Sequence, residues 1–98
     1  MSHHLSPKAE ADLEIWLHVA LESVSFDLAT RLVDSIAEQC FLLGRHPFLG
    51  RARDDDFGAG SRSFSVDEYV IVYCVENDEV LILRVVHGRR DLRALFGD

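Results

Sequence analysis

Lysine is almost missing from this chain of 98 residues: Lys8 is the single lysine among ten basic residues, and 17 acidic residues bring the net charge to −7. A protein that binds nucleic acid usually carries a basic face, because neutralising phosphates and releasing counterions supplies much of the affinity. The average charge of this chain repels phosphates instead. The composition therefore argues against direct nucleic-acid binding as the main function.

Cysteine is also scarce. Cys40 and Cys74 both lie in apolar segments, with no CxxC spacing and no flanking set of ligands. We therefore expect two reduced, buried thiols rather than a disulfide or a metal site. The three consecutive carboxylates at 54–56 lack the spaced ligands of a calcium loop and are predicted to be solvated. The sequence thus predicts no metal and no other cofactor.

Long apolar runs are missing too. No segment approaches the length that crosses a bilayer, and the start MSHHLSPKAE has no apolar signal-peptide core. We expect a cytoplasmic protein that does not associate with membranes. The chain is 48% hydrophobic and has no repeat or low-complexity segment, so residues 1–98 are predicted to form one domain.

The first half of the chain has helical periodicity. Ser6 and Pro7 form a good helix start, with a hydroxyl N-cap followed by proline at the first helical position. A second helix is predicted between Ser25 and Gly44, where glycine favours a C-terminal stop. The short connection predicts that the two helices pack as an antiparallel hairpin. Their apolar stripes consist of Ala9, Leu13, Trp16, Leu17 and Ala20 in the first helix and of Ala29, Leu32, Val33, Ile36, Cys40 and Leu43 in the second.

Four apolar residues fall outside these stripes. They are Ile15 and Val19 in the first helix and Phe41 and Leu42 in the second. A chain of this length cannot easily hide them, and exposed apolar patches mark interfaces. We therefore expect a binding partner to cover them.

The periodicity changes after Gly44. The segment RHPFLGRARDDDFGAGSR, residues 45–62, is rich in turn residues and is predicted to be a loop. Beyond it, RSFSV, YVIVYCV and VLILRVV indicate three strands joined by short polar turns, which predicts an antiparallel meander. SHHL at the start can add an edge strand, and RRDLRALF can form a short C-terminal helix. The predicted fold class is α+β, in the order β-α-α-β-β-β plus the short helix. The helical hairpin covers one face of a small antiparallel sheet. The two helices cannot cover the other face, so either something else covers it or it is a working surface.

Three segments, taken in order, carry a family resemblance: LSPKAEADLEIWLHVA, HPFLGR and RSFSVDEYVIVYCVENDEVLILRVVHGRRDL. Over nearly the whole chain they resemble the ParE branch of the RelE/ParE toxin superfamily. The resemblance implies the fold just described and a bacterial type II toxin–antitoxin module. It implies a hetero-oligomer with a neutralising ParD-like antitoxin of the ribbon-helix-helix type, and a toxin that acts on DNA gyrase. In the RelE branch the same fold instead cleaves messenger RNA in the ribosome.

Positive charge is concentrated in the second half of the chain. Eight arginines follow Gly44, and four of them lie between Arg84 and Arg93. Arg84 is flanked by apolar residues, so its partly desolvated guanidinium needs a partner. An acid on a neighbouring strand and a carboxylate of the antitoxin are equal alternatives for that partner. We expect Arg84 to lie on the uncovered face of the sheet and to serve recognition.

A ribonuclease of this fold needs cations around the scissile phosphate and a group that transfers protons. Arg62, Arg84 and His87 are the candidates, but strict alternation places Arg84 and His87 on opposite faces of their strand. RelE-type sites carry a lysine cluster and a C-terminal tyrosine or histidine. This chain has no lysine cluster, and His87 alone corresponds to the C-terminal tyrosine or histidine. We predict no catalytic residue, and interpret His87 as a strand-end residue held by a neighbouring backbone group. A RelE-like nuclease and a non-toxic, antitoxin-binding homologue are the alternatives.

Two candidate binding surfaces follow from these residues. The C-terminal arginines lie beside a terminal apolar pair, and arginine and aromatic residues are frequent at binding hot spots. The candidate gyrase-binding surface comprises Arg89, Arg90, Arg93 and Phe96. The candidate antitoxin-binding surface comprises Ile15, Val19, Phe41, Leu42, Arg62 and Arg84.

Overall fold

The computed structural model describes residues 3–23, 26–54 and 58–88. The elements are β1 (His3–Leu5), α1 (Pro7–Ser23), α2 (Phe26–Arg45), β2 (Arg51–Ala52), β3 (Ser61–Val66), β4 (Tyr69–Glu76) and β5 (Glu79–His87). The predicted α+β fold class is confirmed, with the helical hairpin following the first strand and the three-strand meander at the end. The predicted short C-terminal helix lies outside the described residues.

Both helices begin where the sequence predicts, and α2 ends within one residue of its predicted stop. The Ser6 hydroxyl accepts a hydrogen bond from the backbone N–H of Ala9 at 3.0 Å, which caps α1 as expected for a serine before Pro7. In α2, Asp27 occupies the first turn and Arg45 the last, and both charges complement the helix dipole. The helix continues one residue past the predicted stop at Gly44.

The meander is closed by two tight turns. β3 and β4 pair antiparallel on either side of Asp67, and β4 and β5 pair antiparallel around Asn77 and Asp78. All three turn residues have positive φ, at 54°, 52° and 61°. Asn and Asp tolerate this conformation better than other side chains, and two consecutive positive φ values define the turn type that matches strand twist. The two predicted hairpins are therefore confirmed.

The edges of the sheet differ from the sequence prediction. Strand order is β1-β5-β4-β3-β2, and β1 is the predicted edge strand, but it pairs parallel with β5. β2 lies inside the segment that was predicted to be loop throughout, and it pairs antiparallel with Arg62 and Ser63 of β3. This part of the loop prediction is wrong, because a strand of two residues is too short to show the alternating hydrophobicity that identifies a strand.

The main core lies between the helices and one face of the sheet. Each fully buried aliphatic side chain there contributes roughly 1.5–3 kcal/mol relative to exposure. The buried members are Ala9, Ile36, Cys40, Leu43, Val66, Ile71, Tyr73, Val80, Ile82 and Val85.

A second, smaller cluster lies on the opposite face of the sheet. Val70, Val72 and Val86 are at most 8% exposed, and Leu83 packs against them. The centre of this face is therefore buried, which agrees with the first of the two alternatives for the face that the helices do not cover. Any working surface on this side is confined to its margins.

Candidate functional site

The free edge of β5 is covered by side chains of the N-terminal segment. β1 pairs with β5 only as far as Ile82. Beyond that point a register shift opposite Val72 and Tyr73 makes Leu83 the extra residue of a β-bulge. The Ser6 hydroxyl donates to the Leu83 carbonyl at 2.8 Å, and the Trp16 indole N–H donates to the Val85 carbonyl at 2.9 Å. Ser6 and helix α1 thus supply the partners that an adjacent strand would give.

Asp12 completes this edge and holds Arg84. Its Oδ2 accepts the backbone N–H of Val85 at 3.0 Å and Arg84 Nε at 2.7 Å, while its Oδ1 accepts Arg84 Nη2 at 3.0 Å. Asp12 is 8% exposed, so this is a bidentate, largely desolvated ion pair. Arg84 therefore has the internal partner that was one of the two alternatives. The acid lies on α1 and not on a neighbouring strand, because β1 is too short to occupy the edge.

Arg62 is held at a different place. In the register, Arg62 pairs with Tyr73 of the main core, whereas Arg84 pairs with Val72 of the second cluster, so the two arginines belong to opposite faces. Arg62 Nε donates to the Gly50 carbonyl at 2.9 Å. Its guanidinium also lies 5.3 Å from the ring centre of Phe48, within cation–π range. The structure therefore does not bring Arg62 and Arg84 together.

The segment 46–50, which we call the Phe48 loop, is fixed by a buried tyrosine. The Tyr73 hydroxyl accepts the backbone N–H of Gly50 and donates to the Pro47 carbonyl, both at 2.8 Å. A Cβ at Gly50 would lie 2.5 Å from that hydroxyl and 2.8 Å from the Ser63 carbonyl, so only glycine fits. Two large apolar side chains of the loop remain in solvent: Phe48 is 69% exposed and Leu49 50%.

Two of the four off-stripe residues of the helices are exposed to solvent. Ile15 is 56% and Phe41 60% exposed, and Leu42 is half-buried. The side chain of Val19 lies outside the described part of the structure. Phe26, 73% exposed at the start of α2, was not predicted to lie in solvent. Phe48 and Leu49 were missed because they lie in a turn-rich segment, although two large apolar residues between proline and glycine were a usable signal.

His87 lies on the helix-facing side of β5, in a cluster of rings. Its ring centre is 6.3 Å from that of Trp16 and 5.6 Å from that of Tyr69, and its Nε2 is 3.7 Å from a Glu68 carboxylate oxygen. In the register, His87 pairs with Tyr69 and Arg84 pairs with Val72. The two residues are three positions apart, so regular alternation along the strand places their side chains on opposite faces of the sheet, as predicted. This arrangement does not direct an imidazole and a guanidinium at one phosphate.

Neither thiol has the chemistry of a nucleophile. Burial raises the pKa of Cys40 to about 11, and burial together with the nearby Glu76 carboxylate raises the pKa of Cys74. Both thiols therefore stay protonated at neutral pH. In the part of the chain that the structure describes, His, Cys, Asp and Glu side chains form no group of three suited to a metal ion. Within the same ranges, neither helix is long and apolar enough to span a bilayer.

The candidate gyrase-binding residues Arg89, Arg90, Arg93 and Phe96 lie outside the described residues. Their role stays a prediction, as does the antitoxin-binding role of the residues on the helices and strands. What the described geometry provides is a closed β5 edge, two separately held arginines, and exposed apolar side chains on α1, α2 and the Phe48 loop. This is a set of surfaces suited to binding other molecules.

Comparison with known proteins defines the class of molecule. The family model described as ParE toxin of type II toxin-antitoxin system, parDE, matches residues 4–92. Toxin ParE3 of Caulobacter vibrioides is 31% identical over 86 residues, which cover 88% of this chain and 85% of that protein. A solved chain titled chromosomal ParDE TA system from P. aeruginosa aligns with a TM-score of 0.77 at 25% identity, covering 89% of this chain and 95% of its own. This chain belongs to the ParE toxin family of type II toxin–antitoxin systems.

Proposed function

We propose that this ParE-type toxin inhibits DNA gyrase by binding it, without chemistry of its own, and that a ParD-like antitoxin of the ribbon-helix-helix type neutralises it. The place of action is the bacterial cytoplasm, where gyrase works. The observation that carries the proposal is the family match over residues 4–92. The geometry adds support, since Arg84 lies on the opposite face of the sheet from Arg62 and His87, and all three residues have structural partners.

The rival function is a RelE-like ribosome-dependent nuclease. It needs cations and a proton-transfer group around one phosphate. Here Arg84 is bound to Asp12, Arg62 to the Phe48 loop, and His87 lies among aromatic rings on the opposite face from Arg84. The geometry therefore favours a binding toxin over a nuclease.

Two parallel assays test this proposal. Purified toxin is added to gyrase in a supercoiling assay and to ribosomes translating a defined message. We expect inhibition of supercoiling and no cleavage of the message, and growth inhibition that survives His87→Ala. Cleavage that falls about 100-fold on His87→Ala, the size expected for loss of a general acid–base, would establish the nuclease instead. Activity in neither assay would indicate a non-toxic homologue that only binds the antitoxin.

We assign the gyrase contact to the C-terminal arginines. Arg89, Arg90 and Arg93 stand near Phe96, a combination typical of binding hot spots. Charge reversal at Arg90 and Arg93 leaves the apolar residues in place, so toxicity is expected to vanish while the thermal midpoint and antitoxin affinity stay near wild type. A reversed protein that still stops growth would move the toxic surface to Arg62 and Arg84.

The antitoxin is assigned to the apolar side of the helical hairpin and the margins of the sheet. Ile15, Phe41 and Leu42 offer apolar anchors there. Arg84 keeps about a third of its side chain exposed while paired with Asp12, so an antitoxin carboxylate can approach it without breaking the internal pair. Together with Val19 and Arg62 these residues remain the proposed antitoxin surface.

A further inference from the structure

The Phe48 loop is held in one shape by contacts from outside it. The Tyr73 hydroxyl bridges the Gly50 N–H and the Pro47 carbonyl, and Arg62 donates to the carbonyls of Gly50 and Phe48. Within the loop, the Leu49 N–H donates to the His46 carbonyl at 3.1 Å. A loop with this many fixed groups loses little conformational freedom when another molecule binds it.

The same contacts hold large apolar side chains in water. Phe48 and Leu49 are 69% and 50% exposed, although the loop that carries them is anchored to a fully buried tyrosine. Beside them runs a shallow groove of about 390 Å³ lined by Arg45, His46, Pro47, Phe48 and Leu49. Its size suits one or two apolar side chains of a partner more than a whole small-molecule ligand.

Arginines lie at both ends of the Phe48 loop, and Arg45 lines the groove. Between Arg45 and Arg53 the sequence has three arginines and no acidic residue, and three aspartates follow directly at 54–56. Arg45 and Arg51 are exposed on either side of the loop, and Arg62 stacks on the Phe48 ring. A partner that fits this surface carries carboxylates next to an apolar side chain. Single-stranded nucleic acid also combines negative charge with stacking faces, but it carries one charge per nucleotide, so the acidic remainder of the molecule repels it more strongly than a segment with a few carboxylates.

We propose that the Phe48 loop is a docking site for an acidic–apolar segment of the cognate antitoxin, distinct from the hairpin surface. An apolar antitoxin side chain enters the groove against Phe48 and Leu49, and flanking carboxylates contact Arg45 and Arg51. The inference rests on the proposed function for the identity of the partner. The site itself follows from three observations: the loop is held in one shape, its apolar side chains are exposed, and arginines lie beside it. A segment that folds on binding loses conformational entropy of its own, so it binds best to a surface that is already ordered.

The test measures the affinity of the antitoxin encoded beside the toxin gene for purified toxin variants. Phe48→Ser, Leu49→Ser and Arg51→Glu alter the docking site. Phe26→Ser and Arg31→Glu are matched controls, because they change an equally exposed phenylalanine and an exposed arginine elsewhere on α2. Each loop variant is expected to weaken binding about 30-fold, as truncation of a hot-spot residue does. The controls are expected to stay within about threefold of wild type, which is less than the step that separates a hot spot from its neighbours.

Three outcomes overturn the proposal. Loop variants that bind the antitoxin as tightly as wild type, with unchanged melting temperatures, exclude the site while leaving the proposed function intact. Loop variants that keep antitoxin affinity but lose gyrase inhibition, or lose binding to a single-stranded oligonucleotide, assign the loop to another partner. A wild-type toxin that does not bind the antitoxin at all removes the proposed function itself. Phe48 also contacts the Arg62 guanidinium, so Phe48→Ser can disturb the loop itself. Leu49→Ser is therefore included as a second variant that leaves this contact in place.

Discussion

Asp12 is the residue on which the β5 edge depends most. Its carboxylate accepts the Val85 N–H and both arms of Arg84 while only 8% exposed. Removing one partner of a desolvated ion pair costs more than the pair contributes, because a charge and a backbone donor lose their acceptor together. The two halves of the pair are therefore not equivalent.

We predict that Asp12→Ala lowers the free energy of unfolding by about 3 kcal/mol, and that Arg84→Met lowers it by about half as much, because Asp12 then keeps its bond to Val85. Denaturant unfolding followed by circular dichroism measures both. Asp12→Asn should fall between them, since an amide oxygen still accepts the Val85 N–H. Equal losses for Asp12→Ala and Arg84→Met would mean that the unpaired, buried Asp12 carboxylate costs as much as the lost contact to Val85.

The sequence predicted that Arg84 has a partner, but it did not identify Asp12 as that partner. Apolar neighbours on both sides of Arg84 showed that its guanidinium needs a partner. The partner was not identified because it lies 72 residues away. A signal was present in the helix: Asp12 falls on the same face as Ala9, Leu13 and Trp16, so an acid was facing the core. A buried acid and a partly buried arginine in one small domain are candidate partners in an ion pair.

Among the elements, the Phe48 loop illustrates how a distant side chain determines local shape. Pro47 and Gly50 indicated a turn, but the sequence could not show that Tyr73, in the central strand, would reach it. The strands themselves were predictable, because period-2 runs and polar turns are local features. The parallel direction of β1 and the two-residue β2 depend on tertiary pairing, and no local pattern encodes them.

We predict that Tyr73→Phe loosens the loop without disrupting the sheet. The ring stays in the core, but the buried Gly50 N–H and the Pro47 carbonyl lose a shared partner, at a cost of roughly 1–3 kcal/mol. Native-state hydrogen exchange should show faster exchange of the Gly50 amide, while amides in β4 and β5 are affected only through the lower global stability. Gly50→Ala should be more harmful, because a Cβ collides with both the Tyr73 hydroxyl and the Ser63 carbonyl. Unchanged exchange at Gly50 in Tyr73→Phe would mean that Arg62 alone holds the loop.

At the scale of the whole molecule, positive charge is concentrated outside the helical half. Residues 1–44 contain seven acidic and two basic residues, whereas residues 45–98 contain ten acidic residues and eight arginines. The sequence alone reveals this uneven distribution, which makes the net charge a poor guide to the charge at any one surface. Only the fold shows that Arg45 lines an apolar groove and that Arg51 is exposed beside the loop, whereas Arg62 and Arg84 make internal contacts.

The arginines beside the Phe48 loop lead to a prediction for the rate at which the antitoxin associates with the toxin. If acidic residues of the antitoxin are attracted to the Phe48 loop, association is electrostatically steered and slows as salt screens the charges. Raising NaCl from about 50 to about 500 mM should slow association of wild-type toxin about tenfold, within the range of steering effects, as measured by stopped-flow fluorescence or surface plasmon resonance.

The double variant Arg45→Ala/Arg51→Ala should associate slowly at low salt and lose most of the salt dependence. Arg31→Ala serves as the control, since it removes an exposed arginine from the acidic half of the molecule. Rates are more informative than affinities here, because rim charges act mainly on association while the apolar anchors act on dissociation. Leu49→Ser should therefore speed dissociation and leave the salt dependence of association unchanged. A double variant that keeps the wild-type salt dependence would place the steering charges elsewhere, with the C-terminal arginines as the next candidates.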